Sequence, residues 1–163
     1  MEKKNLYIDF DGVILDTITP LYDDYHKQNI SKEKAKEFYI NYPWKNIIDD
    51  KYIINDSIND IYKIIDSKKY NLAILTHVNS INEAVLKIKY LRKYFKDITI
   101  IPCPKEISKT KMIHTKDSIL IDDYAGNLRE WKAEGGIGVR FNQEGNGKGF
   151  LTIKNLREII DIF

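Results

Sequence analysis

Five short apolar runs limit what this chain can fold into: residues 5–10 (NLYIDF), 70–76 (YNLAILT), 98–103 (ITIIPC), 118–123 (SILIDD) and 136–141 (GIGVRF). They are continuous rather than alternating, the pattern of parallel strands covered on both faces. Helical stretches separate most of them. In 80–95 the spacing places Ile81, Val85, Ile88, Leu91 and Phe95 on one face, and in 127–136 Leu128 and Trp131 fall together before a glycine pair that ends the helix. Strands alternating with helices predict an α/β, doubly wound, Rossmann-like and mostly parallel five-stranded sheet with right-handed crossovers. Ligands of such sheets bind beyond the carboxyl ends of the strands, where the strand order reverses.

The link between the first two runs is too long for one crossover helix. It holds three stretches of helical spacing, 20–29, 31–42 and 56–67. The expected organisation is a core of residues 1–17 and 70–163, with a small helical cap at 18–69 lying over the strand ends. The tail 152–163 reads as a closing helix and 142–149 (NQEGNGKG) as a flexible loop, whose glycines match neither a P-loop nor a dinucleotide fingerprint.

With 163 residues, 43% hydrophobic and 31% charged, the chain can bury a real core. Its net charge of +2 is mild and its charges are interspersed, so no nucleic-acid partner is expected. No apolar run approaches the roughly 20 residues of a membrane helix, and the basic N-terminus lacks the apolar stretch of a signal peptide. Cys103 is the one cysteine, too few for an internal disulfide. A cytoplasmic protein without a membrane partner is expected, as a monomer or a homodimer.

The residues at and just past the strand ends carry the chemistry. The first run ends in Asp9 and Asp11, the second in Thr76, and the fourth in Asp122 and Asp123. The segment 103–112 (CPKEISKTKM) brings Lys105, Lys109 and Lys111. Acids after strands are commonly caps or turns, and a lysine run is commonly solvated surface. Four carboxylates on one sheet edge are another matter: they repel, and a fold keeps them with a cation or a chemical use. An all-oxygen set suits magnesium (Mg2+). A carboxylate beside that cation can attack phosphorus and form an acyl phosphate, with a lysine and a hydroxyl neutralising and cradling the phosphoryl oxygens. A second carboxyl, protonated at the outset, can donate to the leaving oxygen and later take a proton from water. The expected substrate is thus a small-molecule phosphate ester.

In that order these segments resemble the haloacid dehalogenase superfamily of aspartyl-phosphate phosphatases over nearly the whole chain. DFDGVILDT (9–17) is similar to its first motif, LAILT (72–76) to the second, the lysine segment to the third and ILIDD (119–123) to the fourth. The resemblance implies that Asp9 is the nucleophile and a metal ligand. It implies that Asp11 is the general acid/base, ligating metal through its backbone carbonyl, and that Thr76 binds phosphoryl oxygens. Asp123 is implied as the direct metal ligand of the acidic pair, with Asp122 acting directly or through water. The SKT context favours Lys109 as the third-motif lysine, then Lys111, then Lys105. An acid at position 11 points to phosphate ester hydrolysis rather than dehalogenation.

Residues 119–141 resemble the C-terminal half of bacterial and phage proteins grouped with 5′(3′)-deoxyribonucleotidases, whose caps hold a base between aromatic rings. Tyr22, Tyr25, Tyr39, Tyr42 and Trp44 are available for stacking or for packing the cap. The substrate implied is a nucleoside monophosphate or another small phosphate ester. His77 is suited to touching substrate or to loop packing. His26 and His114 lack zinc spacing with Cys103. Asn127 reads as a helix cap or a support of the acidic loop. A receiver domain uses similar residues, but its acidic pair comes first and it needs no cap. A phosphotransferase or phosphomutase, or a non-catalytic phosphate- and metal-binding module, is the alternative within the same fold.

Overall fold

The computed structural model describes residues 2–163. Its sheet has six strands, all parallel: β1 (Lys4–Ile8), β2 (Tyr70–Val78), β3 (Thr99–Pro104), β4 (Ile119–Asp122), β5 (Ile137–Phe141) and β6 (Leu151–Ile153). The spatial order is β3-β2-β1-β4-β5-β6. All five expected strands form. The sixth corrects the count and the reading of the tail. Leu151 to Ile153 pair with the free edge of β5 and bury Ile153, and only a 3₁₀ turn at Leu156–Glu158 and the short α6 (Ile159–Ile162) come after them. Three residues are too few to show a period, so the strand is hidden beside the helical pattern next to it.

Successive residues of the central strands enter opposite cores, as the period of two demands. Leu6, Ile8, Ile74, Ile119 and Ile121 join one cluster; Tyr7, Leu75 and Leu120 join another with Leu128 and Trp131. Helices cover both faces, so the strands carry apolar residues on both sides. The helices are α1 (Ile18–Lys27), α2 (Ala35–Asn41), α3 (Ser57–Asp66), α4 (Ile81–Tyr94), α5 (Ala125–Ala133) and α6. Between β1 and β2, α3 sends Ile58, Ile61 and Ile64 into the main core. Tyr42, Trp44 and Ile47 instead form a separate small cluster with Leu21, Phe38 and Tyr39.

Helix α4 departs from its expected face. Leu91 and Phe95 are buried, but Ile81 is 84% exposed and Val85 is exposed. The first half of the helix turns Glu83 and Lys87 inward instead, and both are fully buried. The physical reason lies outside the helix, at the ends of the strands that these two groups face.

Candidate active site

Strand order reverses between β1 and β4, and the acids stand at their carboxyl ends. The register sets Ile8 beside Ile121, and the Asp9 amide donates to the Ile121 carbonyl at 2.9 Å. Asp9 and Asp122 are therefore neighbours, 6% and 0% exposed. Of the three candidate lysines, Lys109 reaches them: its Nζ donates to Asp9 Oδ1 at 2.9 Å and to Asp122 Oδ2 at 2.7 Å. The 3₁₀ turn at Lys109–Lys111, capped by the Ser108 hydroxyl, aims that side chain inward; Lys105 and Lys111 are exposed. Asp122 is further held by the Tyr124 amide on Oδ1 and by Asn127 Nδ2 on Oδ2. Asn127 thus supports the acidic loop.

Asp9, Asp122 and Asp123 each present an oxygen within 4.8 Å of the others, the one such cluster among the described residues. With Asp122 engaged on both oxygens, Asp123 is the carboxylate left without a side-chain partner among the described residues. Burial, then the Asp122 charge, pushes Asp9 up to about 7 despite the Lys109 ammonium. Burial and the charges of Asp9 and Asp122 push Asp123 up to about 9. Such carboxyls resist sharing their charge, and a hard divalent cation fits this oxygen set.

The turn after β1 depends on Gly12, whose φ is +74°. A Cβ there would lie 2.2 Å from Asp123 Oδ2. Gly12→Ala is therefore expected to push Asp123 from the cluster and to cost about 1–3 kcal/mol through its left-handed backbone. Isothermal titration with magnesium and a thermal melt would read both effects; unchanged magnesium affinity would contradict this placement.

Asp11 sits apart from that cluster. Its Oδ1 accepts from the Thr17 hydroxyl at 2.6 Å and its Oδ2 from Lys87 Nζ at 2.7 Å. Burial acts to raise its pKa, but the Lys87 charge and hydrogen bond outweigh it, and the carboxyl stays ionised below its ordinary range. The sequence leads one to expect a protonated Asp11; the neighbouring ammonium reverses that. Thr76 is fully buried and its hydroxyl accepts from Lys87 at 3.0 Å and donates to the His77 carbonyl at 3.3 Å. His77 is half-buried, with Nε2 2.9 Å from the Ile107 carbonyl.

Lys87, Glu83 and Thr17 do not stand out in the sequence. One signal is present: Glu83 and Lys87 are an i,i+4 pair in a helix that directly succeeds a strand end. Such pairs are ordinary on exposed faces, and nothing local marks this one as buried.

A cleft of about 540 Å³ opens onto the acids. Asp9, Asp11, Asp122 and Asp123 line its floor, and Ile18, Leu21, Tyr22, Tyr39 and Trp44 its wall. His77, Asn79, Lys105 and Tyr124 also line it, with Thr17, Glu83 and Asn127. Tyr22 and Tyr124 are 51% and 62% exposed, so their rings are open to a ligand. Tyr25 and Tyr42 are absent from that wall: Tyr25 packs on Phe38 and Tyr39, and the buried Tyr42 donates its hydroxyl to Asp24. His26 and His114 are exposed and belong to no metal-type cluster among the described residues. Among the described residues no helix is long and apolar enough to cross a membrane.

No protein-family model and no curated protein sequence matches the chain. Solved structures do. A hydrolase from Pseudomonas syringae is similar at a TM-score of 0.63 and 14% identity, with 98% of this chain and 97% of that one covered. A HAD-superfamily hydrolase from Ehrlichia chaffeensis gives 0.60 and 15%, covering 99% and 97%. The D,D-heptose 1,7-bisphosphate phosphatase from B. bronchiseptica, complexed with magnesium and phosphate, gives 0.56 and 10%, covering 98% and 97%. At these identities the likeness is one of fold, a Rossmann-like α/β sheet shared with hydrolases of that superfamily.

Proposed function

We propose that this protein is a magnesium-dependent phosphomonoesterase of the haloacid dehalogenase type, working through an aspartyl phosphate on Asp9. The observation that carries the reading is the convergence of Asp9, Lys109, Asp122 and Asp123 at the reversal of strand order, within hydrogen-bond or metal-ligand reach of one another. Nothing in a folded core requires three carboxyls there, and the raised pKa values of Asp9 and Asp123 are the cost of assembling them. Magnesium would be held by Asp9, Asp123, the Asp11 carbonyl and Asp122 directly or through water, and would supply positive charge to offset the phosphoryl oxygens.

Each residue has its own part in the reaction. An Asp9 oxygen forms a bond to phosphorus as the ester P–O bond breaks, and the leaving oxygen takes a proton from Asp11. A dianionic phosphate beside Asp11 adds negative charge and raises its proton affinity, which supplies the acid form absent from the ligand-free state. Water then attacks phosphorus, Asp11 receives its proton, and the Asp9–phosphorus bond breaks to release phosphate. Lys109 holds Asp9 in place throughout. The Thr76 hydroxyl can exchange its long bond to the His77 carbonyl for a phosphoryl oxygen at small cost.

We further propose a nucleoside monophosphate as substrate, with Tyr22 and Tyr124 as the exposed rings at the cleft. The test is phosphate release from a panel of 5′- and 3′-nucleotides, sugar phosphates and p-nitrophenyl phosphate, with magnesium and with excess EDTA. Magnesium-dependent release that favours nucleoside monophosphates is expected. Preference for sugar phosphates would refute the nucleotide assignment alone. Release that persists undiminished in EDTA would refute the metal-assisted mechanism.

A further inference from the structure

Two buried ammonium groups serve this site, and the second has no place in the chemistry above. Lys87 Nζ has four acceptors: Glu83 Oε2 at 2.6 Å, Asp11 Oδ2 at 2.7 Å, the His77 carbonyl at 2.9 Å and Thr76 Oγ1 at 3.0 Å. The side chain is 1% exposed, and its charge also lies over the Phe10 ring at 5.2 Å. Glu83 is no less fixed. It is 1% exposed, and its Oε1 accepts from the Asn79 amide at 2.8 Å and from Asn79 Nδ2 at 2.9 Å. Its own amide donates to the Ser80 hydroxyl that caps α4.

Burying Glu83 and Lys87 against the part-buried Asp11 is costly. A lysine packed only to hold α4 down would be replaced without loss by an apolar residue. What the triad achieves is orientation. Asp11 lies past the end of β1, beside Gly12, where its carboxylate lines the cleft. Lys87 and the Thr17 hydroxyl each take one of its oxygens and leave a single arrangement. We infer that Lys87, itself set by Glu83 across one turn of α4, is a positioning residue that orients the Asp11 carboxyl for proton transfer to the leaving group. This rests on the phosphomonoesterase reading of the site.

Dependence on the leaving group separates this role from a structural one. A strongly basic alkoxide needs a proton as it departs, whereas p-nitrophenolate does not. Steady-state kcat and KM are measured with magnesium on p-nitrophenyl phosphate and on an alkyl phosphate, for the parent and for Lys87→Met. Circular dichroism melts establish that each variant is folded. On the alkyl ester kcat is expected to fall on the order of 10²-fold, and on the aryl ester about tenfold less, with KM little changed on either. Lys87→Met leaves the Glu83 and Asp11 carboxylates without their ammonium, so Glu83→Gln/Lys87→Met is made alongside it. That pair removes one charge of each sign and is expected to keep the leaving-group-dependent loss. Equal losses on both esters in a folded variant would overturn the inference. So would recovery of the alkyl ester rate in the double variant, since Lys87 would then serve only to neutralise Glu83. Absence of release from either ester by the parent would sink the phosphomonoesterase reading itself, and this role with it.

Discussion

Asp9→Asn is expected to abolish phosphate release while leaving the metal-free protein at least as stable as its parent at pH 8. The loss should reach at least about 10⁴-fold in kcat, on the scale seen when an attacking side chain is removed from covalent catalysis. An amide oxygen is a poor nucleophile toward phosphorus, yet it still accepts the Lys109 hydrogen bond, so the surroundings need not rearrange. The stability side comes from the sign of the pKa shift. Asp9 is raised from 3.8 to about 7, burial first and the Asp122 charge second, so folding disfavours its ionised form. Its contribution is full below about pH 4 and is lost as pH rises through about 7. Asparagine cannot ionise, and it removes that part of the decline. Thermal melts in EDTA from pH 5 to 8, with release assays in magnesium, check both halves. Turnover that survives the substitution would eliminate Asp9 as nucleophile; a variant that melts well below its parent at pH 8 would show that the Asp9 charge is not strained.

Lys109→Met is expected to be the most destabilising substitution among Lys105, Lys109 and Lys111, at about 3–5 kcal/mol in metal-free protein. The cause is what stays behind: Asp9 and Asp122, 8% and 0% exposed at their side chains, would lose the ammonium between them. Against a total stability of roughly 5–15 kcal/mol this approaches unfolding. The cost should be smaller at pH 5 than at pH 8, because protonation relieves the stranded carboxyls. Lys105→Met and Lys111→Met alter exposed side chains and should stay within about 0.5 kcal/mol. Denaturant unfolding of the three variants decides the matter, and equal stability in all three would contradict a charge-compensating role for Lys109.

The acids are legible in the amino-acid sequence because each ends a strand of strong apolar signal. A strand carries its last residues to the sheet edge whatever the rest of the chain does, so Asp9 and Asp122 had to meet once β1 and β4 were paired. Lys109 is favoured in the sequence by its SKT context over Lys111 and Lys105, but in that loop and 3₁₀ turn no period says which side chain points inward. Helix α4 is the opposite case. Its apolar spacing favours a face with Ile81 and Val85 inward, and the pairing of Lys87 with Asp11 and with Glu83 turns the other face to the interior instead.

The sequence by itself determined a parallel α/β sheet, the acids at its carboxyl edge and the placing of three helices between the first two strands, because these depend on local period and on where each strand stops. Only the tertiary structure decided the sixth strand, the contacts of Lys109 with Asp9 and Asp122, and the tie of Asp11 to Lys87. The two ammonium contacts join residues 100 and 76 positions apart, and electrostatic pairing in a buried site depends on distance in space, which local pattern does not encode.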